Sequence, residues 1–178
     1  MSSESWSAAA TSAAANIEIV PIGRAHLAGF HAVVDSVAKE RRYLAMLEAP
    51  SFARTRRLVL DSLKAGAVHV VAVANGEVLG WCDLRPKAAP TLRHSAVLGM
   101  GVVAAYRGQG IGSRMLAPTL ELAWARGIRR AELNVRSDNP AAIALYRRFG
   151  FVEEGACRNY VCIDGVDYDA LLMARLAP

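Results

Sequence analysis

The sequence predicts an α/β fold built on a mixed sheet of six to seven strands, antiparallel in its first half and parallel where helices cross over, flanked by about four helices. Three observations predict it. The β-branched run Val68, Val70, Val71 and Val73 ends at Asn75-Gly76, and a second run begins at Val78. Asn-Gly between two such runs is the strongest short-range signal of an antiparallel hairpin. Ahead of the hairpin, Leu27, Phe30, Val33, Val34 and Val37 recur at helical spacing. Behind it, from Gly110 onward, helical and strand patterns alternate, the order that builds crossovers.

In order, Ile17–Pro21 reads as a short strand and Arg24 to about Tyr43 as a first helix. Pro50-Ser51 restarts the chain, with Ser51 placed to cap a second helix that runs through Phe52, Leu58, Val59 and Leu63 to a stop at Gly66. The hairpin strands follow, over Ala67–Ala74 and Val78–Leu84. A turn-rich stretch with Pro86 and Pro90 separates them from a longer strand, His94 to about Val103. The second half reads as helix Gly110–Arg126, strand Arg130–Arg136, helix Pro140–Phe149 and strands near Phe151–Cys157 and Asp169–Leu176. No repeat or linker divides residues 17–178, which are expected to form a single domain. The Ser/Ala-rich residues 1–16 are expected to be a disordered tail. The last strand is free to pair with a second copy, so the pattern admits a homodimer.

Composition narrows the partners. A formal net charge of +5 and a pI near 9.4 suit an anionic ligand. The arginines come in scattered pairs, such as Arg41-Arg42, Arg56-Arg57 and Arg147-Arg148. Scattered pairs are the pattern of solvated faces, and no nucleic-acid partner is expected. Cys82, Cys157 and Cys162 are odd in number and lack C-x-x-C spacing, so neither a metal site nor a disulfide framework is expected, and a reducing cytoplasm is the natural location. The longest strongly apolar stretch, Ala67–Ala74, is interrupted by His69 and falls far short of the ~20 residues that span a bilayer, so no membrane association is expected.

The chemistry concentrates in two places. Between Val102 and Ser113 a strand gives way to a helix through Arg107-Gly108-Gln109-Gly110-Ile111-Gly112-Ser113. The first turn of a helix leaves its N–H donors free and carries the positive end of the helix dipole, so a phosphate can settle there if side chains stay clear. Glycines at 108, 110 and 112 leave that room. A P-loop would need Gly-Lys-Ser/Thr, which is absent. A dinucleotide fingerprint would need G-x-G-x-x-G, whereas the spacing here is G-x-G-x-G.

The second place is a helix capped by Asn139, opened by Pro140 and stopped by Gly150. Asn139 and Tyr146 stand two turns apart on one face, about 10 Å along the axis. Taken alone, Asn139 need only cap and Tyr146 need only pack against Ile143 and Phe149.

Together, R-G-Q-G-I-G and, 27 residues after Gly112, N-x-x-A-x-x-L-Y-x-x-x-G-F resemble two successive motifs of the GNAT N-acetyltransferases. The ending Arg158-Asn159-Tyr160, Asp164-Gly165 and Asp169–Met173 resembles bacterial amino-acid N-acyltransferases and ribosomal-protein alanine N-acetyltransferases. The resemblance implies the GNAT fold, acetyl-CoA as co-substrate and transfer of an acetyl group to a primary amine. It implies that Met100, Gly101 and Val102 offer strand backbone to the pantetheine arm. Arg107, Gly108, Gln109, Gly110, Ile111, Gly112 and Ser113 would surround the pyrophosphate, and Asn139 and Tyr146 would face the cofactor. The expected acceptor is a small-molecule amine, an amino acid among the candidates. A protein N-terminus or lysine, or a binding module without turnover, are the alternatives.

Acyl transfer needs a neutral amine, a donor to the oxyanion and a proton for the departing thiolate. Backbone N–H near Val102 suits the second need and the Tyr146 phenol the third. The alanine N-acetyltransferases carry a glutamate five residues before the capping Asn, where this sequence has Asn134. Glu132 points the same way as Asn134 in a regular strand and is the expected base. His94 and Asp83 are alternatives, and each of the three has an ordinary structural reading as a strand or turn residue.

Overall fold

The computed structural model describes residues 16–178, so the tail expected over 1–16 lies, but for Asn16, outside the described residues. Its elements are β1 (Glu18–Pro21), α1 (Leu27–Lys39), α2 (Phe52–Lys64), β2 (Val68–Ala74), β3 (Glu77–Pro86), β4 (Ser95–Val102), α3 (Ile111–Ala125), β5 (Arg130–Arg136), α4 (Pro140–Arg148), β6 (Val152–Ile163) and β7 (Val166–Leu176). The first helix is shorter than its apolar spacing suggests. A 3-10 turn at Arg24–His26 precedes it. The chain leaves the helix at Lys39, and Arg41 takes a left-handed φ of 55°.

Among the described residues seven strands form one sheet in the order β1-β2-β3-β4-β5-β7-β6. The β2–β3 hairpin turns at Asn75 (φ 51°) and Gly76 (φ 80°), the left-handed pair that a tight hairpin requires. Ser51 Oγ accepts from Arg54 N–H at 3.4 Å, the expected cap of α2.

Only the first crossover yields a parallel pair, β4 with β5. After β5, α4 leads to β6, but β7 inserts between them and pairs antiparallel with both. The sheet is thus mixed, as expected, and the strands joined by helical crossovers run in the same direction, but β7 separates β5 from β6 and leaves one hydrogen-bonded parallel pair among the described residues. Composition explains the insertion. β7 carries Ala170, Met173 and Ala174, all buried, whereas β6 carries the exposed Glu153, Glu154, Arg158 and Asn159 and takes the edge. The last strand is therefore interior, and among the described residues the edges of the sheet are β1 and β6; pairing of a second copy along the last strand is not available.

Apolar side chains fill both faces. Ile111, Met115, Leu116, Leu133, Ile143 and Phe151 pack under α3 and α4. Phe30, Val33, Val37, Val59, Val71 and Trp81 pack under α1 and α2. On this second face β4 has no side chains at Gly99 and Gly101, which pair with Asp83 and Trp81 of β3. A Cβ on Gly99 would lie 2.4 Å from Asp83 Oδ1, and one on Gly101 2.3 Å from the Trp81 ring. The alternating glycines of Leu98-Gly99-Met100-Gly101-Val102 are therefore the space into which β3 lays two large side chains.

Gly101→Ala forces the buried indole to move and is expected to cost ~1–3 kcal/mol, as overpacking does. Gly155→Ala, where an added Cβ meets nothing within 4 Å, is expected to stay within ~0.5 kcal/mol of wild type. Urea unfolding of the two variants measures the contrast; equal losses would show that Trp81 yields freely.

Candidate active site

β4 and β5 pair over only three residues, Ser95–Val97 against Arg130–Glu132. Beyond them the strands part, and a cleft of about 510 Å³ opens between Gly99–Val102 and Leu133–Val135. Met100, Gly101, Val102, Arg107, Gly108, Gly110, Ile111, Gly112, Ser113, Asn139 and Tyr146 all line it. Gln109 does not, its side-chain NH2 donating instead to Ala105 O at 3.2 Å. Val103 N–H donates to Leu79 O of β3 at 2.9 Å. Along an antiparallel strand the groups point alternately to either side, so the N–H groups of Met100 and Val102 point away from β3, into the cleft.

At the head of the cleft the chain turns into α3. The first helical bond is Arg114 N–H to Gly110 O at 3.1 Å, and among the described residues the N–H groups of 108–113 donate to no main-chain carbonyl. Gly108 (φ 75°) and Gly110 (φ 77°) hold the turn in left-handed backbone, and an added Cβ on either would meet nothing within 4 Å. Six adjacent unbonded donors at the positive end of a helix can receive a diphosphate. Gly112 has a different reason to be glycine. Its Cβ would come within 3.1 Å of Leu145 Cδ2, so it sets how closely α3 approaches α4.

Two arginines frame this corner. Arg107 donates through Nε to Val102 O at 2.8 Å and bidentately to Glu40 at 2.6 and 2.7 Å, and lies over the Tyr43 ring at 4.7 Å. It ties the loop to the end of α1, with its charge already paired. Arg148 donates to Ser113 Oγ at 2.8 Å and lines the cleft, placing a guanidinium at the phosphate corner. In the sequence Arg148 reads only as half of a scattered arginine pair. Its place in the last turn of a helix expected to lie beside the glycine-rich corner was the available signal.

Asn139 is both cap and lining residue. Its Oδ1 accepts from Ala142 N–H at 3.2 Å, leaving its NH2 group as a donor. Tyr146 is buried, packs against Phe151 at 5.7 Å between ring centroids, and has its pKa raised by burial, so its phenol keeps its proton.

The candidate bases separate. Glu132 shares a sheet face with Asn134, as strand alternation expects, but it lies on the paired part of β5 and does not line the cleft. Its carboxylate is held by Lys87 Nζ at 2.5 Å and Arg130 Nε at 3.0 Å. Burial, the largest influence, would raise its pKa, but these two donors and their charges outweigh it and hold the carboxyl below 4.5. His94 stands at the far end of β4, its carbonyl accepting from Arg129 and Arg130 N–H. Asp83 lies against Gly99, a lining residue. The Cys82 thiol is fully buried and pushed up to about 12 by desolvation, which removes it as a nucleophile. Among the described residues no group of His, Cys, Asp or Glu is placed to hold a metal ion, and no helix is long and apolar enough to cross a membrane.

A seven-stranded sheet split beside a helix start with unbonded amides defines an α/β protein with a cleft that an extended, phosphate-bearing ligand can enter. Residues 31–151 match the acetyltransferase (GNAT) family, and the chain belongs to it. It is 31% identical over 115 residues to the L-amino acid N-acetyltransferase AaaT of Escherichia coli K12, covering 64% of this chain and 70% of AaaT. It is 39% identical over 100 residues to the N-alpha-acetyltransferase RimI of Mycobacterium tuberculosis, covering 56% of this chain and 61% of RimI. The structure of YncA from Salmonella typhimurium with its cofactor acetyl-CoA shares the fold, with a TM-score of 0.85 at 17% identity over 90% of this chain and 93% of that one.

The paired state of Glu132 is itself measurable. A carboxyl depressed in the folded protein contributes stability above its unfolded pKa near 4.5 and loses it as pH falls through the folded value. Glu132→Gln is expected to cost ~1 kcal/mol at pH 7. In urea unfolding the gap to wild type should close as pH falls below 4.5; a gap constant with pH would show that the carboxylate is not ion-paired.

Proposed function

We propose that this chain is an acetyl-CoA-dependent N-acetyltransferase whose acceptor is the primary amine of a small molecule, with amino acids the first class to test. The observation that carries this reading is the unbroken run of unbonded amides from 108 to 113, at the head of a cleft that continues along the open edge of β4. A diphosphate on those amides, with Arg148 beside it, directs the rest of coenzyme A along Met100–Val102, where the N–H groups of Met100 and Val102 and the Met100 C=O, turned away from β3, match the amides of the pantetheine arm. Membership of the acetyltransferase family, and the acetyl-CoA bound by the structurally similar YncA, support the same ligand.

The chemistry follows from what stands at the split. Val102 N–H serves as the donor to the oxygen that gains charge when the amine attacks the thioester carbon. The Tyr146 phenol, protonated at all working pH, serves as the proton source for the thiolate, whose conjugate acid is stronger than the phenol; water restores the proton.

Acceptor size is read from the mouth of the cleft on the α1 side. Arg41, just past α1, donates through Nε to Asp164 Oδ2 at 3.0 Å in the β6–β7 turn, and a second bond joins its Nη2 to Oδ1. The α1–α2 connection, which lines the cleft through Tyr43 and Leu44, is thereby tied to the β6–β7 turn, which favours a compact acceptor over a polypeptide laid across the mouth. The likeness to AaaT agrees, while the likeness to RimI favours a second reading, the N-terminal amine of a protein.

Release of CoA thiol measured with a panel of amino acids, simple amines and short peptides separates these readings. Turnover on amino acids is expected; turnover on peptides alone would favour the second reading, and binding without turnover on any amine would mark a sensor. Tyr146→Phe is expected to keep acetyl-CoA affinity and lose roughly 10²-fold in kcat. An unchanged kcat would remove Tyr146 from the acid's role.

A further inference from the structure

One row of residues crosses four strands at the level where β4 and β5 part. His69 of β2 pairs with Asp83 of β3, and Asp83 with Gly99 of β4. Continuing the Val97–Glu132 register by two places brings Gly99 level with Asn134 of β5. His69 lies against Phe30 of α1 at 4.8 Å, so the row faces the α1 side of the sheet, opposite to Tyr146.

Two members of the row carry buried polar atoms that have no hydrogen-bond partner among the described residues. Asp83 is 7% exposed and its Oδ1 has no hydrogen bond; Arg85 Nε stands 3.3 Å from Oδ2. His69 is 4% exposed and neither ring nitrogen has a partner. A buried carboxylate oxygen without a donor is costly and rare in folded proteins, and a catalytic role is one of the explanations for it. Gly99 opens the way for one. With no Cβ at 99, the carboxylate lies directly on the main chain of a residue that lines the cleft. Asn134, level with it across the split, has no carboxylate to offer.

We propose that Asp83 is the proton acceptor for the incoming amine, reaching the cleft over Gly99 and held in place by Arg85. This rests on the acetyltransfer reading above. Asp83 takes one proton from the substrate ammonium, and the N–H pair remains on nitrogen. That pair forms the N–C bond to the thioester carbon while the carbonyl π pair moves to oxygen. On collapse the C–S bond breaks with its pair on sulfur, and the thiolate takes the Tyr146 proton. The phenolate recovers a proton from the new amide nitrogen through water, and Asp83 returns its own to solvent. One ammonium and one acetyl thioester thus give amide, thiol and one proton.

The groups that face Asp83 support this use. Its own strand supplies Arg85, β2 supplies His69, which burial keeps neutral down to about 4, and β4 supplies glycine. Lys87 and Glu132, nearer the paired end, are bound to each other. From α1 the nearby core residues Phe30, Val33, Val34 and Val37 are uncharged. Burial raises the Asp83 carboxyl to about 6 against the pull of Arg85, so it is ionised and still basic at neutral pH.

The test is the pH profile of kcat/KM for thiol release by the full-length protein, in wild type, Asp83→Asn and Glu132→Gln, with the thermal shift given by acetyl-CoA as the measure of folding and cofactor binding. The wild type is expected to show an acidic limb near pH 6. Asp83→Asn should lose that limb and roughly 10²-fold in kcat/KM while keeping the acetyl-CoA shift, and Glu132→Gln should retain the limb. An Asp83→Asn variant that keeps both limb and rate, or a limb lost in Glu132→Gln instead, overturns the assignment. Should Asp83→Asn show no acetyl-CoA shift, Asp83→Glu decides, recovered turnover supporting the assignment and continued loss overturning it. A wild type that binds acetyl-CoA yet acetylates no amine overturns the function and this proposal together.

Discussion

The structure depends on a failure of pairing. A buried strand normally gives its N–H and C=O groups to both neighbours, yet β4 keeps β5 for three residues and then loses it. From Gly99 onward one edge of β4 has no strand beside it, and a few residues later the turn into α3 leaves six more amides without acceptors. Such an arrangement persists in a folded protein only if water or a ligand completes it. The two unfinished segments are consecutive in the chain and continuous in space, so one extended ligand can satisfy both. The ligand proposed, with phosphate at one end and amides along its length, matches the groups left open.

The split also sorts the chemistry by sheet face. Tyr146, Ile143 and Phe151 belong to the α3/α4 face, where coenzyme A is proposed to lie. Asp83, Trp81 and the glycines at 99 and 101 belong to the α1 face, from which the acceptor is proposed to enter. A proton taken on one face and given on the other need not cross the reacting carbon. The glycines of β4 connect the two, since they let side chains of β3 act at an edge one strand away.

Much of this was legible in the sequence where the signal is local. The Asn-Gly hairpin, the Ser51 and Asn139 caps, the boundaries of α3 and α4 and the glycine-spaced corner all depend on a few neighbouring residues, and they stand where turn and cap chemistry put them. What was missed depends on register between distant strands. Nothing near Gly99 says that Asp83 will lie on it, and nothing near Glu132 says that Lys87 will claim its carboxylate. The insertion of β7 is an intermediate case. Asp164-Gly165 is a hairpin signal as good as Asn75-Gly76 and turns in the same left-handed backbone, but the exchange of β6 for β7 as β5's neighbour rests on which strand is the more apolar. Gly112 shows the same limit, since its need for glycine comes from Leu145 on another helix.

The central claim is that main-chain amides, rather than a charged side-chain cluster, receive the diphosphate. Amide-resolved NMR of the full chain titrated with acetyl-CoA tests it most directly. The account predicts the largest saturable shifts at the N–H groups of residues 108–113, followed by those of Met100 and Val102. Binding that leaves residues 108–113 unmoved, or shifts confined to exposed arginines elsewhere, would contradict it.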